Sequence, residues 1–214
     1  MVISDACVFA YPAGNTSLRR LALEAKHLGI ERLVCAGPII SGNYYGVDVV
    51  SGVILRPKDF RDFSGQLKKA KNPDIVMACA GDAGLNRSLL SSGGLDILRG
   101  IECAPKKAFD DVCAVNAADK GTAIDIDLSA VTRKRGIFRQ KALISFEEIL
   151  KFQRKFEFNI TISSGAHSCI DLLSIRDIEN ICSLFGMEKS EVKTALNTVD
   201  KLLNPYSPVE VLNI

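Results

Sequence analysis

The sequence of 214 residues contains two histidines and no tryptophan. His27 and His167 cannot by themselves supply the histidine-rich ligand set of a multi-metal hydrolase. No apolar run approaches the roughly 18 residues that a membrane span requires. Seven prolines and 24% charged residues leave no room for a long disordered tail. The start, Met1-Val2-Ile3-Ser4-Asp5, lacks the basic head and apolar run of a secretory leader, so the cytoplasm is the expected location. No C-x-x-C pair opens a zinc site: Cys7, Cys35, Cys79, Cys103, Cys113, Cys169 and Cys182 are dispersed, several in apolar contexts such as Val34-Cys35-Ala36. Such a set predicts buried free thiols in a reducing compartment. Only Cys169, close to His167 in a polar loop, invites comparison with a nucleophile, and a structural thiol is the favoured reading there too.

What is present is mostly periodic. Short β-branched runs at 2–9, 32–36, 46–55, 74–80, 95–98, 122–128 and 158–163 read as strands, with 209–212 as a candidate eighth, irregular edge element. Between most of them apolar residues recur at the helical period, as in Leu18, Leu21, Ala22, Ala25 and Leu28, or Ile178, Ile181, Cys182 and Phe185. Ser145 with Glu148 has the form of a capping box, and Pro105 suits a first helical turn. Gly29, Gly121 and Gly186 follow periodic segments as stops. Apolar strands alternating with helices predict an α/β fold with a parallel sheet covered by helices. Seven strands in this length predict a compact or incomplete (β/α) barrel, one domain over 1–214 with 200–214 an irregular tail. An open doubly wound sheet is the second choice, weakened because Phe9-Ala10-Tyr11-Pro12-Ala13-Gly14 follows the first strand where a dinucleotide fingerprint would stand. Residues 37–45 are expected to join two neighbouring strands without a helix.

The run Ala123-Ile124-Asp125-Ile126-Asp127-Leu128 puts two carboxylates on one face of a strand and three aliphatic residues on the other. In a barrel those aspartates point inward toward the C-terminal mouth, where Asp5 and Asp96 are expected to join them. Carboxylates clustered there can hold a metal or act as bases, or they can pair with Arg56, Arg99 or Lys106. Ion pairing is the favoured choice. Ile162-Ser163-Ser164-Gly165-Ala166-His167-Ser168 can present backbone N–H groups to an anion or form a hydroxyl-capped turn. Arg176 lies in the first turn of a helix capped by Ser174, against the macrodipole, so an anion or acidic neighbour is expected beside it. Residues 129–144 hold Arg133, Lys134, Arg135, Arg139 and Lys141 with no acid, and Phe138 lies among them. Residues 56–71 carry six cations against two aspartates, with Phe60, Phe63 and Leu67 as their buried stripe. Cations in such number suit a phosphate backbone, and a solvated loop is the plainer alternative.

These residues resemble the archaeal ribonuclease P protein component 3 family, homologous to the thirty-kilodalton subunit of the eukaryotic enzyme. The likeness runs from the first strand to about Leu196. It rests on the order Gly121-Thr122-Ala123-Ile124-Asp125-Ile126-Asp127-Leu128-Ser129, a basic loop with Arg139, Ile162-Ser163-Ser164-Gly165-Ala166, Ser174-Ile175-Arg176-Asp177 and Leu184-Phe185-Gly186-Met187. Aspartate stands at 125 where the family commonly has glutamate. The resemblance implies an incomplete TIM-like barrel related to the histidinol-phosphatase-type phosphoesterases. Those relatives hold metals through histidines on strand one and later strands, where this chain has Asp5 and Cys7.

It further implies a subunit of ribonuclease P, the endoribonuclease that removes the 5′ leader of precursor tRNA by Mg²⁺-dependent hydrolysis. The chemistry and the Mg²⁺ are then expected on the RNA subunit, with no cofactor or independent active site on this chain. The implied partners are ribonuclease P RNA, ribonuclease P protein component 2, other ribonuclease P proteins and, indirectly, precursor tRNA; no membrane is implied. In that role Arg133, Lys134, Arg135, Arg139 and Arg176, with Arg99 and Lys106 as weaker candidates, would neutralise RNA phosphates. Ser163, Ser164 and Gly165 would hold a phosphate or shape the turn. The competing expectation is a self-sufficient metal-dependent phosphoesterase of the same barrel, using Asp5, Asp125 and Asp127.

Overall fold

A computed structural model describes residues 1–70 and 72–204; the strand expected at 209–212 lies outside them. The strands are β1 (Ser4–Val8), β2 (Arg32–Ala36), β3 (Gly42–Tyr44), β4 (Val47–Leu55), β5 (Ile75–Cys79), β6 (Ile97–Arg99), β7 (Ala123–Asp127) and β8 (Ile160–Ser163). The helices are α1 (Leu18–His27), α2 (Phe60–Lys69), α3 (Ala83–Ser91), α4 (Asp111–Lys120), α5 (Ser129–Thr132), α6 (Gly136–Phe156), α7 (Ile175–Ser183), α8 (Lys189–Leu196) and α9 (Thr198–Leu203). Seven strands run parallel in the order β1-β2-β4-β5-β6-β7-β8, and β3 adds antiparallel to β4.

The two end strands meet, which decides between the barrel and the open sheet. Val8 bridges Ala166 in parallel, Phe9 N–H donates to the Ala166 carbonyl at 2.8 Å, and Gly165 N–H donates to the Cys7 carbonyl at 3.1 Å. These bonds lie just past β8, so the seam is joined at the C-terminal mouth. At the opposite end α8 and α9 cover it: Val199 is buried with Ile75, Ile97 and Ala123, and Asp200 on α9 pairs with Arg32 at 2.7 Å. The barrel is therefore incomplete and nearly closed.

Strand alternation sorts the core into layers. Ile75 and Met77 of β5, Ile97 of β6 and Ala123 of β7 pack inside the barrel with Val34 and Ala36. Val76, Ala78, Leu98, Ile124 and Ile126 face outward and pack with helix residues such as Leu89, Ala114, Phe146 and Leu150. Helix starts are mostly set by short acceptors: Ser17, Asp59, Asp82, Asp110 and Ser174 each accept a backbone N–H of the first turn.

Three local expectations change, while residues 37–45 do join the neighbouring strands β2 and β4 without a helix. Ser145 and Glu148 lie inside α6, whose first residue is Gly136, because the Ala142, Phe146, Ile149 and Leu150 stripe carries the helix through them. Pro105 sits in a turn before α4, which starts at the Asp110 cap. Phe60 is 42% exposed, and the stripe of α2 is buried mainly through Phe63. Residues 37–46 contain a tight hairpin. Tyr45 and Gly46 are both left-handed (φ 59° and 89°), and Asn43 Oδ1 accepts the Gly46 N–H at 3.0 Å. A tyrosine is an unusual residue for the first of those two positions.

Candidate nucleic-acid interface

The mouth of the barrel is built from alternate residues of β1, β6, β7 and β8. Asp125 and Asp127 do point inward, and Arg99, the last residue of β6, comes between them. Its Nη2 meets Asp127 Oδ2 at 2.7 Å, its Nε lies 3.6 Å from Asp125 Oδ2, and its Nη1 donates to Cys7 Sγ at 2.8 Å. Thr161 and Ser163 of β8 donate their hydroxyls to Asp125 at 3.1 and 2.7 Å, and Ser129 N–H donates to Asp127 Oδ1 at 2.9 Å. Asp5 accepts the N–H groups of Cys7 and Ser164 at 3.2 and 3.0 Å. Phe9 covers Arg99 from above, with the guanidinium 6.0 Å from its ring centre, and stacks on His167 at 4.3 Å.

One guanidinium thus serves two carboxylates, with a third held by backbone N–H groups, in a space with almost no solvent. Burial pushes the Asp125 carboxyl up to about 7, against the opposing pull of Arg99, and pushes Asp5 up to about 6. The Cys7 thiol is likewise pushed up by burial, so the sulfur meeting Arg99 is an uncharged acceptor. Both carboxyls therefore keep a proton to higher pH than a free aspartate does.

This corrects three expectations. Arg99 is 6% exposed and bonded on several sides, so it does not reach an RNA phosphate. The Asp5, Asp125 and Asp127 set does not fit a metal ion, because a guanidinium occupies the space between two of the carboxylates and the third is held by backbone N–H groups. Asp96 is not in the cluster: it precedes β6 at the end opposite the mouth, where it accepts the Val76 N–H at 2.7 Å.

The small-residue turn after β8 is also committed internally. Ser164 N–H goes to Asp5, Gly165 N–H to the Cys7 carbonyl, Ala166 N–H to Ser164 Oγ, and the N–H groups of His167 and Ser168 to Asp171. No donor is left to cradle a phosphate there. These bonds are those of a residue set that shapes the turn, and Ser163, buried against Asp125, is bonded in the same way. Gly165 is required: its φ is +58°, and a Cβ would come within 2.8 Å of Asp127 Oδ1.

Outside the mouth the cations are less committed. Arg133 alone among those of 129–144 has a carboxylate partner, Asp171 at 2.8 Å, and it also donates to the Gly165 carbonyl at 3.0 Å. Lys134 Nζ lies 3.1 Å from Cys103 Sγ, which brings the turn carrying Lys106 beside this segment. Arg139 donates through Nε to the Lys134 carbonyl at 2.9 Å. Among the described residues Arg135, Arg139, Lys141, Lys106 and Arg176 have no carboxylate within 4.0 Å, and all five are exposed. The acidic neighbour expected beside Arg176 is therefore absent among them. The first turn of α6 has no side-chain cap and no acid, which leaves its positive end among positive side chains. His167 offers nothing to Cys169: its ring lies on Phe9, with Nδ1 3.2 Å from the Ala13 carbonyl.

Residues that the sequence reading did not place are Phe9 and Asp171. Phe9 directly follows β1, past an irregularity in its pairing with β2 between Asp5 and Val8, so plain alternation does not fix its side. Asp171 lies on another loop, and no local pattern ties it to Arg133.

The class is now defined: an incomplete TIM-like barrel whose mouth is filled by an arginine–aspartate network and whose unpaired cations lie outside it. A sequence profile described as RNase P subunit p30 matches residues 2–205. The chain belongs to this family of ribonuclease P subunits. Ribonuclease P protein component 3 of Methanococcoides burtonii is 28% identical over 200 residues, covering 90% of this chain and 83% of the relative. The protein of the same name from Methanothermobacter thermautotrophicus is 31% identical over 153 residues, 71% of this chain and 62% of the relative. A chain in a cryo-EM structure of archaeal ribonuclease P with mature tRNA superposes with a TM-score of 0.77 at 20% identity, over 98% of both chains. That likeness carries the fold. No helix among the described residues is long and apolar enough to cross a membrane.

Proposed function

We propose that this chain works in the cytoplasm as a protein subunit of ribonuclease P, binding the ribonuclease P RNA and supporting removal of the 5′ leader from precursor tRNA. The hydrolysis and its Mg²⁺ belong to the RNA subunit; this chain supplies positive charge that lets phosphates approach one another as the RNA folds. Component 2 is the protein with which it acts, alongside other ribonuclease P proteins. The observation that carries the reading is the acid-free segment 129–144, held beside the mouth on a member of this family, with Arg135, Arg139 and Lys141 exposed. Lys106, on the turn beside Lys134, extends the same charge, and Arg176 in the first turn of α7 adds a further exposed cation. A phosphate backbone needs such cations in number more than in exact arrangement.

The test is reconstitution with ribonuclease P RNA and component 2. Adding this chain is expected to raise precursor tRNA cleavage, and the double variant Arg135→Glu/Arg176→Glu is expected to lose most of that gain at low salt, the difference from wild type shrinking as rising salt screens the contacts. Wild-type cleavage by the double variant across a salt titration would reject the assigned surface.

A further inference from the structure

Helix α6 is long, and its first turns are not covered by the barrel. Its buried stripe runs through Ala142, Phe146, Ile149 and Leu150. Phe138 lies one turn before Ala142 on the same side, yet it is 66% exposed. Lys141, three residues on, neighbours the ring on the helix surface, and Arg135, the extended residue that caps the helix, precedes the same turn. Neither cation has a carboxylate partner among the described residues. An exposed aromatic close to two unpaired cations suits a ligand that is both planar and anionic.

We propose that Phe138 stacks on an unpaired RNA base while Arg135 and Lys141 hold the phosphates flanking that nucleotide. The site would then read single-stranded RNA, not duplex. A phenyl ring can donate or accept no conventional hydrogen bond, so its contribution to RNA binding is its face, and a base offers its face only when it is out of the helical stack. Base pairing in an A-form helix leaves phosphates for the cations but nothing for the ring. A protein partner would have to bury the ring while stripping water from the surrounding cations, a cost that a polyanion offsets with its own charge. This inference rests on the function proposed above and specifies the RNA element it engages.

Fluorescence anisotropy with a labelled oligouridylate and a labelled RNA duplex of equal phosphate count tests it. The wild-type chain is expected to favour the single strand. Phe138→Ala is expected to weaken that binding about tenfold and leave the duplex unchanged, with the same salt slope as wild type. Phe138→Tyr should bind as wild type, whereas Phe138→Leu should lose as much as Phe138→Ala, which separates stacking from simple apolar contact. Lys141→Gln should lower the salt slope for both probes. Equal binding of the two probes by the wild-type chain, or a Phe138→Ala variant that binds oligouridylate normally, overturns the proposal. So does Phe138 cross-linking to a protein instead of RNA in the reconstituted complex. Each of those results can coexist with stimulated precursor cleavage, which tests the subunit role separately.

Discussion

Inside the barrel mouth one guanidinium, Arg99, serves Asp125 and Asp127 while Asp5 lies close by; along residues 129–144 only one of five cations, Arg133, has a carboxylate partner among the described residues, Asp171. The same kind of side chain does opposite work in the two places. A buried charge must be matched group by group, because water is not there to make up a deficit. Arg99 is accordingly fixed by several bonds, and its loss would expose the acids to each other. A surface charge is already hydrated, so it can stay unpaired and remain available to a partner. Net charge alone hides the contrast: the chain as a whole carries only +2.

The largest effect that separates the two regions is expected from Arg99→Met. Removing the cation strands buried carboxylates, and a loss of roughly 3–5 kcal/mol in urea unfolding at neutral pH is expected, part of it recovered in mild acid as the acids take up protons. An unchanged midpoint would mean that the network does not hold the mouth together. The pH dependence of stability comes next. Asp125 is raised to about 7 and Asp5 to about 6 from 3.8, so between pH 4 and 7 the folded chain binds protons that the unfolded chain has released. Stability should therefore fall as pH rises through that window, and Asp125→Asn should flatten the fall. A wild-type stability curve that rises from pH 4 to 7 while Asp125→Asn leaves it unaltered would contradict the assignment. The smallest effect lies outside. Arg133→Ala breaks a pair that is partly exposed and should cost at most about 1 kcal/mol, whereas Arg135→Ala should leave the thermal midpoint unchanged. Equal losses from the two would erase the distinction between committed and free cations.

Much of the barrel was legible because strand alternation and helical period are local. The 122–128 run showed which way Asp125 and Asp127 point, and the predicted ion pairing with Arg99 required only that a cation be near. What could not be read was the end of the partner strand. Taking it to stop at Leu98 places Arg99 in a loop at the rim; one more residue of strand, paired to Cys79, puts its side chain inside. The phosphate-cradle reading of Ser164 and Gly165 had the same weakness. Its N–H groups are taken by Asp5 and by the Cys7 carbonyl, far away in sequence and adjacent only once the seam closes. Ser145 inside α6 shows the other kind of miss, where the buried stripe of a long helix overrules the residue type favoured at a cap.

The arginine at the centre of the mouth also affects how the subunit is handled. A metal ion can be chelated, dialysed away or exchanged for another, whereas Arg99 is part of the chain and is present in every copy as soon as it folds. What a bound ion would supply at such a mouth is here built into the covalent chain, so it cannot be diluted out or replaced by another species.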